Sequence, residues 1–371
     1  MSDIQKLVQE ALDGLVESGA ELGLQAAVYV DGEPVVDAVA GVADPEDGRR
    51  VESGTPFYSA STAKGVAATV VHVLVERGLF GYDTPIADLW PEFAAHGKTA
   101  VTVRHALTHT AGVPGMPADV TPESLTDWDA MCAAVADAEP WWEPGTRTGY
   151  HAFTYGWLLG EVVRRATGKP ISQVLREEVA GPLGVADELY FGVPEAELGR
   201  LARLEDAPAD PNAFGSLPED FPLFKASPPQ VTPNAAYGNR ADVLTSDIPA
   251  GGTMTARAVA RMYAALLGEV DGVRLVSEER LREISSVAFE GVDQVFGMPT
   301  AWGLGYSIGR PGADPRQTRH VFGSVGMGGS AGYADTSTKV AFALTKNRFD
   351  PMAAGAVERV GAIVAEAVAR A

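Results

Sequence analysis

The segment Phe57-Tyr58-Ser59-Ala60-Ser61-Thr62-Ala63-Lys64-Gly65 sets a serine and a lysine three residues apart at the start of a strongly apolar run. On a helix that spacing puts both side chains on one face, within reach of each other. A serine hydroxyl is a weak nucleophile until a neighbouring base takes its proton. A lysine serves as that base only where desolvation or another cation lowers its pKa, and a helix buried between two layers of structure provides the first. Ser-x-x-Lys alone is equally the pattern of a capping serine followed by a solvated lysine, so it needs company.

Two further segments supply it. In Gly145-Thr146-Arg147-Thr148-Gly149-Tyr150-His151-Ala152 a turn precedes a helical run at 155–165. A tyrosine there can relay a proton between a nucleophile and a leaving group, although aromatic residues at such places also pack cores. The segment Phe322-Gly323-Ser324-Val325-Gly326-Met327-Gly328-Gly329-Ser330 reads as a Gly-rich strand. Glycines in a strand mark the close approach of another backbone or of a ligand, and N–H groups on such an edge can hold a developing oxyanion.

Rival chemistry is poorly supplied. Gly328-Gly329-Ser330-Ala331-Gly332 matches a Gly-x-Ser-x-Gly nucleophile elbow, but that elbow needs a later histidine and none follows His320. His105 and His109 stand four apart, as zinc ligands on a helix do, yet the expected glutamate is missing from Ala106-Leu107-Thr108, so a structural role is expected and no metal site. His151 either lines a cleft or bonds a backbone carbonyl. Trp141 and Trp142 either wall an acyl pocket or pack a helical layer. His320 shares a strand face with Phe322 and Ser324 by period two, which would bring it to the edge of the site. Cys132, the single cysteine, lies in Met131-Cys132-Ala133-Ala134-Val135 and reads as a small buried hydrophobe, not a nucleophile.

The elements that must position these residues follow from periodicity. An amphipathic helix is predicted at 4–16, and β-prone runs at 25–30 and 34–39 flank Asp31-Gly32, a hairpin dipeptide. An apolar helix spans 63–78. Strand-like alternation returns at 302–308, 320–322, 332–335 and 339–345, before a closing helix at 352–369. Between them the chain alternates short helical patterns with Pro- and Gly-rich loops, notably 114–122 and 208–249. The second loop carries Phe214, Phe221, Phe224 and Tyr237, which suits a lid or pocket wall. Strands at both ends around a helical middle predict an α/β domain built from 1–85 and 285–371, with a mostly helical domain at 86–284.

The chain has 371 residues, 46% hydrophobic and 21% charged, which is a globular composition large enough for two domains. Its formal charge of −20 repels nucleic acid and anionic membranes, so neither is an expected partner. No apolar run reaches membrane-spanning length, no leader pattern is seen, and one cysteine allows no internal disulfide. The expected location is the cytoplasm.

Taken in order, Ser61-x-x-Lys64, Tyr150-His151-Ala152 and Ser324-Val325-Gly326 resemble the motifs of the penicillin-recognising serine hydrolases. More narrowly, the chain is similar to their class C β-lactamase-like branch of family VIII carboxylesterases and related transesterases. Leu107-Thr108-His109-Thr110-Ala111-Gly112, Gly156-Trp157-Leu158-Leu159-Gly160-Glu161 and Gly328-Gly329-Ser330 with Ala334-Asp335 add to the likeness. The resemblance implies an α/β, β-lactamase/DD-peptidase-like fold: an antiparallel sheet flanked by helices, joined to an all-helical domain, with the site in the cleft between. It implies Ser61 as acylated nucleophile, Lys64 as base, Tyr150 as proton shuttle, and the N–H groups of Ser61 and Met327 as oxyanion hole, without a cofactor. Ser324, Gly326 and His151 are the expected substrate-binding positions.

Two departures bear on substrate. Where such β-lactamases carry Tyr-x-Asn the chain has Tyr150-His151-Ala152, and where they carry Lys-Thr-Gly it has Ser324-Val325-Gly326. An amide that grips an acylamino group and a cation that recognises a carboxylate are both missing. The expectation is therefore hydrolysis of neutral carboxylic esters through an acyl-enzyme, with a small-molecule ester as partner. Acyl transfer, weak β-lactamase or D-amino-acid peptidase activity, and a non-catalytic binding protein are the alternatives. Oligomeric state is left open.

Overall fold

The computed structural model describes residues 3–208, 217–218, 220–351 and 355–370. Phe214 and the first residues of the closing helix predicted from 352 lie outside that set.

Asp31 and Gly32 both take positive φ, 49° and 86°, the geometry of a type I′ turn, and join strands Gly23–Val30 and Glu33–Asp44. Among the described residues they belong to a nine-stranded antiparallel sheet. Its spatial order is Arg49–Arg50, Glu33–Asp44, Gly23–Val30, Val340–Lys346, Ala331–Asp335, Val321–Val325, Ser307–Ile308, Pro299–Trp302 and Phe289–Val292. The N-terminal hairpin thus meets the C-terminal strands in the middle of the sheet, with Val28 opposite Phe342.

Period-two alternation assigns each central strand two faces. Leu24, Ala26 and Val28, with Val340, Phe342 and Leu344, join one core layer with helices Ile4–Glu17 and Gly355–Ala369. Ala27, Ala341 and Ala343 point the other way, toward the larger core. Small residues on that face let helix Ala256–Leu267 lie close: a Cβ on Gly332 would come within 2.4 Å of Val259. This helix packs on the sheet although the sequence boundary at 284 groups it with the helical segment.

Helix Ala63–Glu76 runs deeper, buried from Ala63 to Val75. A helix that is apolar all round has no solvent face to present, and this one is enclosed by helix Thr154–Thr167 and strand Val321–Val325. Any charged group at its start is stripped of water. A small second sheet pairs Phe57–Tyr58, just before the Ser61 turn, with Thr253–Met254 and through it Leu189–Tyr190.

The irregular segments also have structure. Helix Leu223–Ala226 sits in the 220–234 stretch, which is tied to the 114–122 loop by the Met116 N–H to the Lys225 carbonyl and by the Gln230 side-chain amide to the Ala118 carbonyl. Tyr237 packs edge-on against Tyr58.

Candidate active site

Ser61 lies in a 3₁₀ turn, Ala60–Thr62, that runs directly into helix Ala63–Glu76. Ala60 takes φ 42°, an unfavourable value for a residue with a Cβ, so Ser61 follows a locally strained backbone. The surroundings that hold this strain come from distant parts of the chain. The Ser59 N–H bonds the Gly252 carbonyl at 2.8 Å, Thr62 Oγ1 donates to the Ser330 carbonyl at 3.0 Å, and Ser324 Oγ donates to the Ser61 carbonyl at 2.9 Å.

Lys64 Nζ donates to Ser61 Oγ at 2.9 Å and to the Ala250 carbonyl at 3.2 Å. The side chain is buried, and among the described residues it has no carboxylate partner. Desolvation with no compensating anion pushes its pKa down to about 7, so a large fraction is neutral at neutral pH. Gly156 explains how the Ala250 carbonyl gets there: a Cβ at 156 would lie 2.5 Å from the Ala250 nitrogen.

Tyr150 approaches from the opposite side. Lys64 Nζ stands 4.9 Å from its ring centroid, and its hydroxyl interacts with Ser61. Burial raises the phenol above its ordinary value, opposed by Ser61 and assisted by the Asp293 carboxylate. The tyrosine is therefore a neutral donor and acceptor at rest.

The turn bearing Tyr150 is laced to the 107–112 segment. The Gly149 N–H bonds the His109 carbonyl at 3.0 Å, the His151 N–H bonds His109 Nδ1 at 3.0 Å, and the Val113 N–H bonds His151 Nε2 at 3.1 Å. His151 Nδ1 lies 2.7 Å from the Gly149 carbonyl and must carry the ring proton to donate there. Burial pushes the His151 pKa down to about 4 and holds His109 well below the usual range, where His151 and Lys64 also disfavour a second charge.

These bonds bear on one expectation. The ring expected to bind substrate is fully buried, and both His151 nitrogens are occupied by backbone, which shapes the Tyr150 turn. Gly326 is set by its backbone neighbours. Its N–H bonds the Ser330 carbonyl at 2.8 Å, and a Cβ would lie 2.3 Å from the Ser59 carbonyl oxygen. The glycine is there for backbone-to-backbone approach. Ser324 clamps the nucleophile's turn through the bond already described.

Gly328 and Gly329, at φ 96° and 89°, complete a turn over 326–330 that only glycine adopts readily. The turn sets Met327 beside the Ser61 segment, and among the described residues the Met327 N–H has no hydrogen-bond partner. Ser330 then enters strand Ala331–Asp335, not a helix, which removes the nucleophile-elbow alternative. His320 is displaced from the site: it sits at the far end of the strand, 40% exposed beside Asp335, about 13 Å from Ser324 at strand rise. His105 caps its own helix, accepting the Thr102 N–H. Cys132 is buried beside Glu161 with its thiol pushed up, and Trp142 is buried while Trp141 stays partly exposed.

Asp293 and Trp302 escaped the sequence reading. Asp293 is buried, and its carboxylate accepts the N–H groups of Val295 at 2.8 Å, Phe296 at 2.9 Å and Tyr150. The Trp302 ring stacks on Tyr150 at 6.2 Å and packs on His109 at 4.4 Å. The available signal was Asp293-Gln294-Val295-Phe296-Gly297, an aspartate whose side chain can bond the backbone two and three residues on.

The chain is similar to known proteins over most of its length. The beta-lactamase family model matches residues 8–366. Esterase/beta-lactamase LipL of Mycobacterium tuberculosis is 37% identical over 87% of this chain and 76% of its own length. A family VIII carboxylesterase crystal structure superposes with a TM-score of 0.87 at 33% identity, covering 99% of this chain and 97% of that one. A penicillin-binding protein homologue from Caulobacter crescentus gives 0.84 at 33% identity over 97% and 98%. With a family match from residue 8 to 366 and a relative 37% identical over most of both chains, the chain belongs to the beta-lactamase family.

Proposed function

We propose that this protein is a serine hydrolase that cleaves neutral carboxylic esters through an acyl-enzyme on Ser61. The observation that carries the reading is the 2.9 Å contact between Ser61 and a buried lysine whose pKa falls to about 7. A neutral Lys64 accepts the Ser61 proton as Oγ attacks the ester carbonyl, and the oxyanion forms toward the Ser61 and Met327 N–H groups. Tyr150, in contact with both residues, passes a proton to the leaving alkoxide as the carbonyl–oxygen bond breaks. Water then attacks the acyl-enzyme by the reverse relay and releases the acid.

Substrate class follows from what the cleft lacks. Ser324 and Ala152 offer neither a cation for a carboxylate nor an amide for an acylamino group, and a net charge of −20 disfavours anionic drugs. The esterase and carboxylesterase names of the relatives support the same choice. The proposed location is the cytoplasm, supported by the single thiol; among the described residues no helix is long and apolar enough to cross a membrane. Labelling by a fluorophosphonate probe and turnover of short p-nitrophenyl esters test the reading. Both should vanish in Ser61→Ala, and persistence of either would overturn it.

A further inference from the structure

Two cavities meet at one phenylalanine. The smaller, about 290 Å³, is lined by Leu223, Phe224, Pro229, Pro233 and Met327 together with three polar residues. Ser227 Oγ and Thr232 Oγ1 bond each other at 3.2 Å, and Asn234 Oδ1 accepts the Tyr237 N–H at 2.8 Å. No charged side chain lines it among the described residues. The larger groove, about 720 Å³, opens on the other side of Phe224 and Pro229, against Met116, Pro117 and Trp141, with Glu139 and Lys225 also in its wall.

The small cavity touches both halves of the site. Met327 forms one wall and carries the free N–H of the glycine turn. Leu223 forms another and belongs to the apolar cluster that packs Tyr150 and Phe221 against Val295. The leaving oxygen must face the Tyr150 hydroxyl to be protonated, and Tyr150 packs against the apolar cluster that holds Leu223, itself a lining residue of the cavity. An alcohol half turned toward Tyr150 leaves the acyl half to face Met327.

We infer that the cavity under Met327 is the acyl-chain pocket of the ester substrate and that Phe224 is its end wall, limiting the enzyme to short aliphatic acyl groups. This rests on the esterase reading above. A cavity of this size lined mainly by apolar side chains, with no charged side chain among the described residues, favours a hydrocarbon chain over a polar acid, because the lining returns little of what desolvating the acid would cost. The half-buried Phe224 ring divides the pocket from the groove, so removing the ring joins them.

The test is a series of p-nitrophenyl esters from acetate through butyrate, hexanoate and octanoate to decanoate, read as kcat/KM. The wild type should peak at the short esters and decline at octanoate and decanoate. Phe224→Ala should move the peak to the longer chains and raise the decanoate-to-butyrate ratio by at least about tenfold. Phe224→Trp should move it toward acetate, which keeps the test informative if the alanine variant folds poorly. Alkyl acetates of increasing alcohol length form the control and should respond equally in all three proteins. An unchanged acyl profile in both variants overturns the proposal, and a shift confined to the alcohol series overturns the acyl assignment. Failure of every ester to be turned over in a Ser61-dependent way would instead overturn the esterase reading.

Discussion

The two sides of the catalytic cleft are built on opposite principles. Ser61 and Lys64 sit three residues apart on one continuous turn and helix, so their mutual geometry is local and only their environment is tertiary. Tyr150 lies on an irregular turn with no regular element to orient it. Its position depends on His109 and His151, on Asp293, and on the Trp302 and Phe296 rings, which come from three separate stretches of chain. The Ser61 side is therefore local in geometry and tuned by burial, whereas the Tyr150 side is assembled from many weaker contacts. Damage to the first should remove chemistry outright, and damage to the second should reduce it by degrees.

Lys64→Met attacks the local side and has the largest expected effect. Loss of the base should lower kcat about 10³-fold or more, measured with p-nitrophenyl butyrate. The same change should raise thermal stability, because it removes a lysine buried without an anion. The folded-state pKa near 7 is below the unfolded 10.5, so the folded protein binds fewer protons between those values, and wild-type stability rises with pH through that window. The stability advantage of the methionine variant should accordingly be greatest at about pH 6 and shrink toward about pH 10. A variant that is less stable than wild type at about pH 6 contradicts the desolvation account.

Tyr150→Phe removes the relay hydroxyl but keeps the ring and its stacking. A loss of about 10²-fold in kcat is expected, with little change in melting temperature. The kcat/KM of the wild type should rise with pH to a plateau with a midpoint of about 7, as Lys64 loses its proton. Because burial causes that shift, the midpoint should stay in place in Tyr150→Phe. A midpoint that returns toward the ordinary lysine range would show that the two sides are electrostatically one unit.

Asp293→Ala tests the assembled side without touching reacting groups. It frees three backbone N–H groups, including that of Tyr150, and should lower kcat about tenfold with KM much less affected. Asp293→Asn keeps an acceptor oxygen and should recover most of the activity; equal damage in both variants would show that charge, not positioning, is what Asp293 supplies. Ser324→Ala should have the smallest effect, a few-fold in kcat, since it deletes one hydrogen bond to the Ser61 carbonyl.

The same contrast explains what could be read in advance. The hairpin at Asp31-Gly32, the apolar helix after Ser61 and the alternation of 339–345 declare themselves because their geometry is set by neighbours in sequence. Roles that depend on distant contacts do not. His151 sits beside Tyr150 and looks available for substrate, yet its ring is consumed by the Val113 N–H and the Gly149 carbonyl. His320 has the right strand parity but the wrong end of the strand. Asp293 and Trp302 carry no spacing relation to Tyr150 at all; they reach it only because strands Phe289–Val292 and Pro299–Trp302 extend the sheet at its edge beside the cleft.

The sequence alone determined the spacing that brings Ser61 and Lys64 within reach, the glycines that permit the 326–330 turn, and the two layers into which the central strands divide, since each follows from covalent spacing and periodicity. Tertiary structure decided that the Lys64 pKa falls, by enclosing it without an anion, and that Tyr150 stands beside it, by cross-linking its turn to remote backbone. Spacing brings two side chains within reach; only packing sets the dielectric and the orientation that make them react.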